Sequence, residues 1–593
     1  MISSRLQALR QEMAKRNISV YIVPTADFHE SEYVGSYFKA RKYITGFTGS
    51  AGTAVITMTE AGLWTDGRYF IQAAEQLEGT TVTLYKMGEE GVPTVDEYVE
   101  TALQEGQMIG FDGRVVNNTW GKKLAEIAEK KNGKLAVDED LIDLIWTDRP
   151  ELSKEPVRIL GVEHTGKTVT EKLTEIRNVM TEKGADIHLL TSLYDIAWLL
   201  NVRGNDISYV PVVLSYLALT KEECIWFVQE EVVTEEVAAY LTENHIIAKP
   251  YNDFYEYVKT INADATVLMN QSVVNYRICN SLPETVKIID ELDPSVFMKS
   301  KKNEVELENT RRAHLKDAVA MCKFMYWLKT NVGKIPMTEI SASDYLEGLR
   351  RQQEGCFDLS FDTICGYAAH GAIVHYAATP ETDVEIKPEG LLLVDSGGQY
   401  LEGTTDITRT FAMGPVTQEM KTNFTRVLRS NMHLANARFL YGCSGVNLDV
   451  LARQPLWEAN LDYKHGTGHG VGHILNVHEG PNGFHWGRKA YVYPLEEGMI
   501  TTDEPGIYIE GQYGIRLENE LICRKGEKNE YGQFMYFEPI TFVPMDLDAV
   551  DASQLNETEK KYLNDYHKAV YEKVAPFLSE EEAEWLKEYT RSI

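Results

Sequence analysis

The sequence predicts an α/β protein in three parts: two related α/β units in tandem, then a larger α+β domain. Three observations lead there. At 593 residues the chain is too long for one hydrophobic core, because single cores stop growing well before this length. A helix–break–strand pattern recurs at an offset of 167 residues. A long charged helix opens after Asn303, a suitable N-cap, with Glu306 three positions on.

The repeat is specific in its positions. Leu6, Leu9, Arg10 and Met13 fall on Leu173, Ile176, Arg177 and Met180. Val20, Ile22 and Val23 fall on Ile187, Leu189 and Leu190. Each copy reads as an amphipathic helix, a break at Asn17 or Gly184, and an apolar strand. YITGFTGSAGTAVIT (43–57) is loosely echoed by WLLNVRGNDISYVPVVL (198–214). A polar stretch around Pro150, Lys154 and Pro156 reads as a linker. These signals divide the chain into 1–156, 157–302 and 303–593.

In the third part, Leu391 to Val394 reads as a buried strand ending at Asp395 and closed by a Ser396-Gly397-Gly398 turn. Tyr400, Leu401, Ile407 and Phe411 are expected on its partner. Tyr513 to Cys523 reads as one alternating strand, with Ile515 and Leu517 on one face and Arg516 and Glu518 on the other. On that reading Arg516 can orient the Glu518 carboxylate. The tail is helical, opened by the capping-box pairs Asn556/Glu559 and Ser579/Glu582.

Composition narrows the function classes. With 44% apolar and 25% charged residues, the chain is neither disordered nor fibrous. A net charge of −30 repels phosphate backbones and anionic lipids, so neither nucleic acid nor a membrane is an expected partner. The seven cysteines include no C-x-x-C pair, which argues for a reducing compartment and against a thiolate zinc site. The N-terminal residues alternate charge with apolar positions, unlike a secretory signal. The most apolar stretch, Tyr209 to Leu219, is too short to span a bilayer. A cytoplasmic protein is expected.

The third part also collects the residues that carry chemistry. Asp395 ends LLLVD, Asp406 lies in GTTDITRT, His469 in HGTGHGVGH, Glu504 in MITTDEPG and Glu518 in GIRLENE. Each alone has an ordinary reading as a turn former or a solvated side chain. Together, four carboxylates and an imidazole make an oxygen-rich set able to hold two divalent ions. Such hard ligands suit manganese, with cobalt, iron or zinc as alternatives. Two ions so held lower the pKa of a bridging water and polarise a scissile carbonyl. Competing motifs are absent: HGTGHGVG lacks the Lys-Ser/Thr of a phosphate loop, His478-Glu479 does not begin H-E-x-x-H, and there is no G-x-S-x-G elbow.

The order Asp395, Asp406, His469, Glu504, Glu518 resembles the ligand set of the pita-bread metallopeptidases. GAIVHY (371–376), HGTGHGVG (465–472), VHEGP (477–481) and DEPGIY (503–508) are similar to the cytosolic, three-domain aminopeptidase P family, as are YITGFTGSAGT, LWTDGRYF and EKKYLNDYH elsewhere. The resemblance implies two creatinase-like N-terminal α/β domains before a pita-bread catalytic domain. It also implies a homodimer and hydrolysis of the N-terminal Xaa-Pro bond of peptides by a hydroxide bridging two metal ions.

By the same resemblance His375, His465 and His478 are non-ligand active-site histidines, with His478 facing the carbonyl oxygen and His375 near the leaving group. Glu504 also takes the proton of the attacking water. Tyr508, Arg516 and His465 line the proline pocket. In the family the first domain helps to cover the cleft, which makes Tyr43, Asp66 and Arg68 candidates there, against an ordinary structural use. One departure stands out: His370 precedes GAIVHY where small or polar residues are usual, and it reads as a loop histidine. Two rivals are a prolidase, which cuts only dipeptides and usually has one N-terminal domain, and an inactive binding module on the same fold, which would lack ligands.

Overall fold

The offset repeat is realised as two six-stranded sheets of the same topology. These and all features below come from a computed structural model that describes residues 2–487 and 491–593. In the first sheet the strand order is Thr83–Lys86, Ala61–Thr65, Thr53–Thr57, Ile18–Pro24, Met108–Gly110, Lys134–Ala136. In the second it is Ile246–Pro250, Cys224–Val228, Ser215–Thr220, Ile187–Leu190, Thr266–Met269, Lys287–Asp290. Both run parallel, antiparallel, antiparallel, parallel, parallel across the sheet.

The correspondence extends to single side chains. Helix Ile2–Lys15 buries Leu6, Leu9 and Met13, and helix Val169–Lys183 buries Leu173, Ile176 and Met180. Arg10 donates to Thr57 O at 2.9 Å, and Arg177 to Thr220 O at 3.0 Å, each at the end of the equivalent strand. Asn17 and Gly184 both take positive φ, the left-handed turn that lets each helix reverse into its strand.

By its contacts the chain forms two compact units: residues 1–161 with 167–295, and 162–166 with 296–593. Both repeated sheets lie in the first. They are joined there by His29, whose Nδ1 meets Thr191 O at 2.9 Å and whose Nε2 meets the Tyr251 hydroxyl at 2.7 Å. Tyr43 and the Asp66–Arg68 pair have local structural uses in this unit. The Tyr43 hydroxyl donates to Ile145 O, and Arg68 makes two 2.8 Å bonds to Asp66.

In the second unit, helix Glu304–Asn331 begins at Asn303, which accepts from the N–H groups of Val305 and Glu306. Both expected capping boxes in the tail are present. The helices pack an apolar core that includes Phe324, Leu392, Phe411, Phe424 and Ile515. Two strand assignments differ from expectation. Strand Leu391–Ser396 contains Asp395 as expected but runs one residue further, taking in the Ser396 assigned to the turn, and pairs with Ile407–Ala412 and Ile364–Tyr367. Tyr400 lies instead in a separate small sheet with Cys356–Leu359, because the chain turns at Gly397. The expected strand Tyr513–Cys523 is two strands, Tyr513–Arg516 and Asn519–Asn529, in different sheets. Among the described residues, no helix is long and apolar enough to cross a membrane.

Candidate metal centre

Neighbouring strands bring the acidic residues together. Asp395 sits mid-strand opposite Thr408. Asp406 immediately precedes the strand Ile407–Ala412. Glu518 lies in the break after Arg516, its N–H bonded to Thr408 O at 3.1 Å. Glu504 follows strand Ile500–Asp503, and its N–H donates to Thr467 O at 2.8 Å. His469 occupies the short strand Gly468–Gly470. The glycines flanking it are needed for close approach: a Cβ on Gly468 would lie 1.8 Å from Thr502 O, and one on Gly470 2.1 Å from Glu479 O. They serve strand packing, as the lack of a phosphate-loop lysine implies.

One oxygen or nitrogen from each of Asp406, His469 and Glu518 falls within 4.8 Å of the others. His469 Nε2 is 3.4 Å from Asp406 Oδ2 and 3.6 Å from Glu504 Oε1. Its Nδ1 meets Gly470 O at 2.9 Å, so Nδ1 carries the proton and Nε2 presents its lone pair to the carboxylates. Asp395 joins the cluster through its electrostatic effect on Asp406, Glu504 and Glu518.

The site is short of positive charge. Burial, then the Asp395 and Glu504 carboxylates, push the Asp406 carboxyl well above its usual range. Burial, then Asp406 and Asp395, do the same to Glu518. Glu504 is raised as well, chiefly by burial, with His469 and Arg516 opposing. Asp395 Oδ1, Asp406 Oδ1 and Glu518 Oε1 are buried and have no hydrogen-bond partner among the described residues. Buried, unpartnered carboxylate oxygens are costly unless a cation meets them. The residues therefore fit a pair of divalent ions.

The surrounding residues hold the carboxylates in place. The Thr408 hydroxyl donates to Glu518 Oε2 at 2.7 Å, and the Asp406 N–H to Glu520 Oε1 at 2.8 Å. Arg409 braces the back of the site: it donates to the carbonyls of Glu518 and Val543 and to the Tyr566 hydroxyl of the tail helix. Arg516 orients Asp395, not Glu518 as the strand reading implied. Its Nη2 lies 2.6 Å and its Nε 3.2 Å from Asp395 Oδ2. The reason is the strand break after Arg516, which ends the two-residue alternation before Glu518.

Three further predicted residues form a chain beside the cluster. Arg516 Nη1 donates to the Tyr508 hydroxyl at 2.7 Å, which donates in turn to His465 Nε2 at 2.8 Å. His465 Nδ1 bonds Gly466 O, which fixes this tautomer. The His478 ring packs edge-on against His469, centroids 4.2 Å apart. His375 follows Val374, whose carbonyl accepts from Arg516 Nη2 at 3.3 Å. His370 is no loose loop histidine, since its ring is bonded to buried Glu339. Thr408, Arg409, Glu339 and Glu520 escaped the sequence reading. Only Glu520 carried a signal, its alternation with Glu518 in LENE.

Two creatinase/prolidase N-terminal domain models match residues 5–143 and 148–306. The metallopeptidase family M24 model matches 308–525, and the C-terminal region of that peptidase matches 533–593. A probable Xaa-Pro aminopeptidase P of Neurospora crassa is 40% identical over 98% of this chain and 88% of its own. The chain belongs to the aminopeptidase P family. Aminopeptidase P2 of Arabidopsis thaliana is 38% identical over all of this chain and 89% of its own. The crystal structure of an X-prolyl aminopeptidase from Caenorhabditis elegans, described as a cytosolic enzyme with a di-nuclear active site, is 34% identical. It covers both chains completely with a TM-score of 0.95. Like other aminopeptidase P members, this chain is a metallopeptidase with creatinase-type domains before a pita-bread domain.

Proposed function

We propose that the chain releases the first residue of peptides whose second residue is proline, at a centre held by Asp395, Asp406, His469, Glu504 and Glu518. The observation that supports this reading is the meeting of Asp406, His469 and Glu518, with Glu504 3.6 Å from His469, beside the Arg516–Tyr508–His465 chain that also bonds Asp395. Two divalent ions, manganese in our reading, supply when bound a hydroxide at neutral pH and polarise the scissile carbonyl. Glu504, half-buried at the edge of the cluster, takes the proton from the attacking water. His478 donates to the carbonyl oxygen as negative charge builds on it, and His375 serves the leaving nitrogen. His465, Tyr508 and Arg516 form the wall against the proline ring. An X-Pro bond lacks the amide N–H, so a site that packs the ring and asks for no N–H favours it.

The three-part division at 1–156, 157–302 and 303–593 is proposed likewise, supported by the two equivalent sheets and the separate model matches. A cytoplasmic location and a homodimer complete the reading. The exposed rings of Trp457 and Trp486, centroids 6.2 Å apart, offer apolar surface suited to a second copy.

The test is hydrolysis of matched Xaa-Pro-Yaa and Xaa-Pro substrates by the purified, manganese-loaded protein. Release of Xaa from the tripeptide is expected. Activity confined to the dipeptide would make the protein a prolidase, and none on either would remove the assignment.

A further inference from the structure

We propose that Glu339 and His370 are positioning residues that hold the 366–376 segment, and with it His375, in place beside the metal centre. The proposal rests on the role read for His375 above. Glu339 opens helix Glu339–Arg351 and is fully buried. Its carboxylate accepts from three points of one short segment. The Tyr367 N–H donates to Oε1 at 2.7 Å, and the Tyr376 hydroxyl to Oε2 at 2.9 Å. Between them, His370 Nδ1 lies 2.9 and 3.1 Å from the two oxygens.

The carboxylate oxygens accept in this contact and the ring nitrogen donates, which places the ring proton on Nδ1. The His370 ring also stacks on Tyr376, centroids 4.4 Å apart. One buried carboxyl group thus ties both ends and the middle of the stretch that carries GAIVHY. The helix N-terminus adds favourable field at the same carboxylate.

The other side of the segment is held from the metal centre. Arg516, bonded to Asp395, also reaches Val374 O at 3.3 Å. Gly371 presses against Gly514 so closely that a Cβ on Gly514 would lie 1.7 Å from Gly371 O. His375 is the next residue after Val374. The segment is therefore fixed between the Glu339 carboxylate and the strand that orients Asp395. In this chain His370 supplies the middle tie. Displacement of a reacting group by about 1 Å can cost on the order of 10²-fold in rate.

Glu339 is too buried for a clean substitution, so the test uses His370, whose side chain is 26% exposed. His370→Leu and His370→Asn are compared in the manganese-saturated full-length protein on an Xaa-Pro-Yaa peptide, with and without His375→Ala. His370→Leu is expected to lower kcat by about 10–100-fold, the range for removal of an orienting group, and to move KM less. His370→Asn, whose amide N–H can replace Nδ1–H, is expected to recover most of that loss. In the His375→Ala background His370→Leu should cost nothing further, since residues that act as a unit are not additive. An equal loss in both backgrounds, no loss in His370→Leu, or no recovery in His370→Asn overturns the proposal while leaving the role of His375 standing. Full turnover of His375→Ala alone overturns both.

Discussion

Arg516 and Asp395 form a buried ion pair, Nη2 to Oδ2 at 2.6 Å, and the same guanidinium reaches Tyr508 and the Val374 carbonyl. A lysine at this position has one ammonium and cannot serve three acceptors in a plane. Arg516→Lys is therefore expected to lose roughly 10–100-fold in kcat/KM or in metal affinity, the range for groups that orient a ligand. Steady-state kinetics with a manganese titration measures both. Wild-type values for each would detach Arg516 from the centre.

Chelation removes the cations that would meet the buried, unpartnered oxygens of Asp395, Asp406 and Glu518. Activity is expected to vanish on treatment with EDTA and to return further with manganese than with magnesium, which gives up its waters reluctantly and favours an all-oxygen octahedron. Metal should also raise the melting temperature. At a hundredfold excess over Kd a ligand adds about 2.7 kcal/mol to the folded state. Full turnover in a sample shown to be metal-free by elemental analysis would refute the site.

Glu504 combines contact with His469 at 3.6 Å and partial exposure, as a group that both holds a cation and meets water should. Glu504→Ala is expected to lower turnover by roughly three or more powers of ten, because a metal contact and a proton acceptor go together. Circular dichroism on the same sample establishes folding. Near-normal turnover in a folded variant contradicts the role.

His567 provides a pH prediction away from the centre. Its Nε2 accepts the Met545 N–H in a fully buried position. Burial, then Arg409 and Arg591, hold its pKa down from 6.5 to about 3. Above pH 6.5 both the folded and the unfolded chain carry it neutral. As pH falls from 6.5 toward 3 the unfolded chain takes up a proton that the folded one refuses, so stability is lost over that window. The slope from one such group is at most about 1.4 kcal/mol per pH unit. Urea denaturation at pH 7.5 and 5 should show His567→Gln losing less than wild type between them. Parallel losses would show that His567 does not titrate this way.

What was legible in the sequence follows the range of the interactions involved. Asn303, Asn556 and Ser579 act on N–H groups two or three residues away, so their capping roles could be read from local pattern. The repeated helices could be read because Leu6/Leu173 and Met13/Met180 keep their offset. The five acidic and imidazole positions are legible as a set in a fixed order; the structure places Asp406, His469 and Glu518 within 4.8 Å of one another, with Glu504 3.6 Å from His469. Alternation along an unbroken strand points Arg516 at Glu518, whereas the break after Arg516 leaves it bonded to Asp395. Tyr513–Arg516 and Asn519–Asn529 instead join different sheets, and nothing local marks the break. Glu339, Thr408 and Arg409 were invisible for a related reason: their partners lie about 30 to more than 100 positions away.

Arg409 carries a kinetic consequence. It links the main-chain carbonyl of Glu518 to Tyr566 in the middle of helix Glu557–Val574, so the site is complete only when distant segments have all docked. Such non-local closure is slow compared with helix formation. A refolding sample should therefore recover its far-ultraviolet signal well before it cuts peptide, with a dormant, metal-poor intermediate between the two.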